Sequence, residues 1–110
     1  MSYIGRPGRP TITAPTNYEL KETTIILAWD PPPDNGGDMN LRYRVQYKEV
    51  IGGTAKEETF PDSTDTQFRL PGLRRGITYR FRVYAINKGG VGEPAEVQYF
   101  VIDVKGMSGL

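Results

Sequence analysis

Residues 73–86 read Leu73-Arg74-Arg75-Gly76-Ile77-Thr78-Tyr79-Arg80-Phe81-Arg82-Val83-Tyr84-Ala85-Ile86. Tyr79, Phe81, Val83 and Ala85 take alternate positions, with Arg80, Arg82 and Tyr84 between them. A period of two is the repeat of a strand with one buried and one wet face; a helix would space its apolar residues by three and four. A leucine six residues ahead of the strand-opening tyrosine, with a glycine between, suits a corner. There the phenol can reach back to upstream backbone and set where the chain joins the strand. That role is expected of Tyr79.

The same alternation recurs on either side. Residues 23–29 place Ile25, Leu27 and Trp29 on one face and stop at Asp30-Pro31-Pro32-Pro33-Asp34-Asn35-Gly36-Gly37, where prolines remove backbone donors. Residues 42–50 place Tyr43, Val45 and Tyr47 on one face and Arg42, Arg44, Gln46 and Lys48 on the other. Gly52-Gly53 is read as a turn into a polar strand at 54–60, and residues 66–70 form a short strand offering Phe68 and Leu70. After a glycine-rich loop at 87–94, a last strand at 95–104 points Val97, Tyr99 and Val101 inward. Gly5-Arg6-Pro7-Gly8-Arg9-Pro10 reads as linker, and residues 11–14 as an edge strand, where proline blunts further pairing. Seven strands with turn signals every 8–12 residues or so predict an all-β, antiparallel two-sheet sandwich. Its expected core is Ile25, Leu27, Trp29, Tyr43, Val45, Leu70, Leu73, Tyr79, Phe81 and Val83. The indole of Trp29 is expected to plug the space between sheets that pack about 10 Å apart.

Composition narrows the function. The 110 residues fit one domain, which can bury a core without a covalent staple. Cysteine and histidine are both absent, which removes the thiolate nucleophile, the usual neutral-pH proton shuttle and the commonest metal ligands. Neither a cofactor nor a metal is expected, and no catalytic motif is present. A net charge of +1 gives no global field for nucleic acid or anionic lipid. Apolar runs of three or four residues, such as 25–28, fall far short of the ~20 that span a bilayer.

At this point Leu27-Ala28-Trp29-Asp30-Pro31-Pro32, Asn35-Gly36-Gly37 and Tyr43-Arg44-Val45-Gln46-Tyr47 resemble the B strand, BC loop and C strand of fibronectin type III domains. Residues 73–79, then Phe81-Arg82-Val83-Tyr84-Ala85-Ile86-Asn87 and Gly90-Val91-Gly92-Glu93-Pro94, are similar to that family's EF corner, F strand and FG loop. The resemblance covers residues 10–104. It implies a seven-stranded Greek-key, immunoglobulin-like sandwich with A, B and E facing C, C′, F and G. It also implies service as a spacer or protein-binding repeat in adhesion proteins, receptors or giant muscle proteins. The Arg-Gly-Asp tripeptide through which some members bind integrins is missing; Arg75-Gly76-Ile77 is the nearest string and sits at the EF corner. No Asn-x-Ser/Thr acceptor for N-glycosylation occurs.

Two surfaces stand out as sites of contact. If the C and F strands are adjacent, Arg42, Arg44, Lys48, Arg80 and Arg82 share one face. Such a face could grip a carboxylate-rich or sulfated, heparin-like partner. Alternatively Glu57, Glu58 and Glu96 on flanking strands pair with these cations in ordinary cross-strand fashion. Phe100 and Ile102 either face outward beside the arginine-rich strand, as an interface would, or are swung into the core by a bulge. The loops at 31–40 and 89–94 lie at one end of such a sandwich and could form a binding surface or abut a neighbouring domain.

Residues 1–8 are expected to be a linker or start remnant, 9–104 the domain and 105–110 a C-terminal linker. The expected function is a non-catalytic module of a larger cell-surface adhesion or receptor protein, meeting protein partners or tandem neighbours outside the cell. The alternative is a module of a titin-like sarcomeric giant in the cytosol. An enzyme is the third class, to be revived only by a deep pocket with paired, perturbed carboxylates.

Overall fold

The structure, a computed structural model, describes residues 3–50 and 56–103. The expected Gly52-Gly53 turn, the first residues of the strand expected at 54–60, and residues 105–110 lie outside them. The strands are β1 (Thr11–Ala14), β2 (Glu19–Leu20), β3 (Ile25–Asp30), β4 (Arg42–Glu49), β5 (Glu58–Thr59), β6 (Gln67–Leu70), β7 (Thr78–Asn87), β8 (Gly90–Val91) and β9 (Ala95–Val101). Among the described residues there is no helix.

The strands form two sheets, one ordered β1-β3-β6 and the other β2-β9-β7-β4-β5, with β8 paired to β7. All pairings are antiparallel except that of β2 with β9, which is parallel. The chain is an antiparallel β-sandwich of the immunoglobulin-like type, and its two extra short strands are accounted for locally. β1 stops at Pro15, which has no N–H to extend a ladder, and the chain then crosses to the other sheet as β2. β8 is the tip of the β7 hairpin.

Burial follows the pleat. β3 alternates buried and less buried residues from Ile25 to Asp30, and β7 buries Tyr79, Phe81, Val83 and Ala85 while Arg80, Arg82 and Tyr84 remain partly exposed. Trp29 packs against Tyr43 with ring centroids 5.6 Å apart. Tyr47 lies against Phe60, Tyr79 and Phe81, and Phe81 meets Tyr99 edge-on, so aromatic rings run between the sheets. Leu70 is half-buried at the margin of this cluster rather than at its centre.

At the corner between β6 and β7, the Arg74 N–H donates to the Tyr79 hydroxyl at 2.8 Å. Gly76, at φ 81°, makes the turn that a side chain would strain. Its N–H bonds the Val101 carbonyl at 2.6 Å, so the end of β9 is tied to the same corner. At the far end of β7, the loop at 31–41 and the hairpin at 87–94 come together. β7 has ten residues and so separates these poles by about 33 Å. The chain comes in at the loop pole, where the Gly8 N–H bonds the Asp34 carbonyl at 2.7 Å. It leaves at the corner pole, where Asp103 lies beside Gly76.

Candidate interaction surface

β4 and β7 pair without a break from Arg42 opposite Ile86 to Glu49 opposite Tyr79. This register sets Arg44 opposite Tyr84, Gln46 opposite Arg82 and Lys48 opposite Arg80, all on the outward face of the larger sheet. Acids meet the guanidiniums there. Arg44 holds Asp62 in a two-point grip, Nε to Oδ1 at 2.8 Å and Nη2 to Oδ2 at 3.0 Å. Arg80 Nη2 lies 2.9 Å from Glu57 Oε1, and Arg82 Nε lies 2.7 Å from Glu96 Oε1. Arg80 Nε is buried without a hydrogen bond and sits 3.8 Å from Glu96 Oε1. Tyr84 donates its hydroxyl to Gln46 Oε1 at 2.9 Å. Arg74 grips Glu49 in the same two-point fashion beside the corner.

The hydrogen bond from Arg82 holds the Glu96 carboxyl below its usual range, against the pull of desolvation. Hydrogen bonds to Asp62 and Glu96 push the Arg44 and Arg82 guanidiniums further toward the charged state. Each such pair at a half-exposed position is worth only about 0.2–1 kcal/mol. Their main effect is to spend the positive charge of the face internally. Arg42 remains exposed, and Lys48 is half-buried beside the Arg80–Glu96 group. Glu58 is exposed on β5.

β9 runs in register with β7 from Ala95 to Phe100 with no bulge, so Phe100 points outward opposite Thr78 and is 37% exposed. Val50, 41% exposed, donates its N–H to the Thr78 carbonyl at 2.8 Å. Val50, Thr78 and Phe100 therefore form one row across the sheet, bounded by Glu19 of β2 opposite Phe100. Ile102 lies beyond the end of β9, is half-buried, and donates its N–H to the Leu20 carbonyl at 2.8 Å. The structure thus unites Arg42, Arg44, Lys48, Arg80, Arg82 and Phe100 on one face and sets Ile102 at its margin.

Several polar residues with structural duties carried no signal at the level of sequence. Asp62 reaches Arg44 because residues 61–63 fold back over β4, where Ser63 and Tyr43 exchange two backbone hydrogen bonds of 3.0 and 2.7 Å. Asp38 is buried and accepts the Asn40 N–H at 3.0 Å and the Lys88 N–H at 3.4 Å. The first of these bonds, against opposing desolvation, lowers its pKa. Asn87 gives its side-chain amide to the Gly5 carbonyl at 2.8 Å and the Asn35 carbonyl at 2.9 Å, joining three segments. Tyr99, whose hydroxyl donates to the Pro15 carbonyl at 2.8 Å, is pushed by burial to a pKa of about 12. Among the described residues, no group of three or more His, Cys, Asp or Glu side chains could hold a metal ion. No helix there is long and apolar enough to cross a membrane.

Two sheets closed over Trp29, a tyrosine-latched corner and a charge-laced outer face define the class: an immunoglobulin-like β-sandwich. The chain belongs to the fibronectin type III family, whose sequence model matches residues 12–101. It is 38% identical over 91 residues to receptor-type tyrosine-protein phosphatase F of Bos taurus, which covers 82% of this chain and 4% of that protein. It is 34% identical over 85 residues to the striated-muscle M-protein of Gallus gallus, covering 74% of this chain and 6% of that protein. The solution structure of a fourth human FNIII domain superposes with a TM-score of 0.67 at 29% identity, over 94% of this chain and 86% of that one. The chain spans only a small fraction of the curated relatives it matches. Relatives thus include both a receptor and a muscle protein.

Proposed function

We propose that this chain is a non-catalytic, in-line module of a larger cell-surface adhesion or receptor protein, spacing its neighbours and meeting a protein partner through the outward face of the larger sheet. The observation that carries the reading is the placement of Gly8 and Asp103 at opposite poles of the sandwich, about one strand length apart. A domain threaded in this way lengthens an array without folding it back. The match to a receptor-type phosphatase supports the cell-surface setting, and the small share of that protein covered is consistent with chemistry residing elsewhere in it.

The partner contact falls on the Val50–Thr78–Phe100 row, where apolar surface stands between Lys48 and Glu19. An apolar centre with a charged rim is the usual anatomy of such contacts. A sulfated or other polyanionic ligand is the weaker reading, because the guanidiniums it needs are held by Asp62, Glu57 and Glu96. The muscle match favours one second reading, a sarcomeric module in the cytosol.

Antibody raised against this module should stain intact, unpermeabilised cells that express the parent protein. Staining confined to permeabilised cells, in a striated pattern, would overturn the cell-surface reading in favour of the sarcomeric one.

A further inference from the structure

Residues 4–8 precede the segment that the family model matches, yet they are held like part of the domain. Pro7 is buried. The Gly5 N–H bonds the Gly36 carbonyl at 2.9 Å, and the Gly8 N–H bonds the Asp34 carbonyl at 2.7 Å. The Asn87 amide donates to the Gly5 carbonyl at 2.8 Å. This segment is therefore held both by the loop at 31–41 and by the hairpin at 87–94.

The glycines of that hairpin fit the segment closely. A Cβ at Gly89 would stand 2.6 Å from the Gly5 carbonyl oxygen and 2.8 Å from that of Ile4. A Cβ at Gly92 would collide with the Pro7 carbonyl oxygen. Neither residue has a positive φ, so backbone conformation does not demand glycine at either position. The space does, because the segment's backbone fills it. At Gly36 the two demands coincide, with φ at 71° and the Gly5 carbonyl in the place of a side chain.

We infer that residues 4–8 are a built-in strap, seated in a glycine-lined slot between the two loops, that seals the loop pole and fixes the direction in which the chain joins the sandwich. The pole that could otherwise present loops to a ligand is occupied by the chain itself. Any partner that uses those loops must first displace the strap, and what it must offer instead is an extended peptide with matching N–H and carbonyl groups. The consequence for a tandem array, a set angle at the junction, rests on the reading of the chain as an in-line module. The strap itself does not.

Amide hydrogen exchange on the full chain tests it. The Gly5 and Gly8 amides should exchange about tenfold or more slowly than in an unstructured peptide. In Gly92→Ala that protection should be lost, while the Leu27 and Val83 amides stay protected and report an intact sandwich. Asn87→Ala is the second variant, read in the same way at Gly5 if Gly92→Ala fails to fold. Free exchange at Gly5 and Gly8 in the unaltered chain, or protection that survives both substitutions, overturns the strap. Cell staining is indifferent to these rates, so the strap and the proposed function can fail separately.

Discussion

Trp29→Ala should destabilise the domain by about 3–5 kcal/mol, the cost of emptying a large aromatic site in a packed core. Trp29 is 4% exposed and fills the gap between β3 and β4 against Tyr43. Its indole N–H has no hydrogen-bond partner, so truncation breaks no polar contact of that ring and the loss is one of packing. Relaxation of its ring neighbour Tyr43 into the void is limited by the paired backbone hydrogen bonds that tie Tyr43 to Ser63. Domains of this kind hold roughly 5–15 kcal/mol in total, so the variant should sit near the edge of folding. Urea titration followed by circular dichroism is the suitable measurement, since the substitution removes the chain's one tryptophan and with it the fluorescence signal. A loss below about 1 kcal/mol would mean that the indole is not the plug between the sheets.

Tyr79→Phe should cost about 1–3 kcal/mol although it removes a single oxygen. The ring is 3% exposed and would stay in place. What is lost is the acceptor for the Arg74 N–H, and a partly buried backbone donor left without a partner carries its full desolvation penalty. That donor also sets the path of the turn through Gly76, to which the end of β9 is bonded, so the change should loosen the corner pole as a whole. Tyr84→Phe supplies the comparison. Its hydroxyl bonds Gln46 on the outer face, where water can replace it, and its loss should stay within about 0.5 kcal/mol. Equal costs for the two variants in denaturant titration would contradict a special role for the corner.

The sandwich was legible because its signals are local. Alternation across residues 79–85 gives a strand and its buried face together, and the proline run after Trp29 gives the strand's end. The Leu73–Gly76–Tyr79 spacing likewise foretells a hydroxyl within reach of the preceding backbone, and Arg74 is the group it meets. The arginine face could be read to the extent that two alternating strands lie side by side, and the shared outward face of Arg44, Lys48, Arg80 and Arg82 follows from that pairing. Which acids answer them is a matter of loop path. Asp62 is brought over Arg44 by a backbone exchange between Ser63 and Tyr43 that leaves no periodic trace.

The first strand hid its switch between sheets for a similar reason. Glu19 and Leu20 pair with β9, about eighty residues away, and two residues are too few to show alternation. Residues 4–8 read as linker because glycine and proline usually punctuate. Here the same residue types serve close approach, as the atoms that a Cβ at Gly89 or Gly92 would strike make plain.

The chain passes straight through the sandwich, from Gly8 at the loop pole to Asp103 at the corner pole. The absence of native cysteine lets Tyr3→Cys and Asp103→Cys be spin-labelled in one molecule without interference. Double electron–electron resonance should then give a single separation of roughly 30–45 Å, set by the ten-residue span of β7 plus the label arms. A distance under about 20 Å, shorter than that strand, would place residues 3 and 103 at one pole and contradict the in-line module.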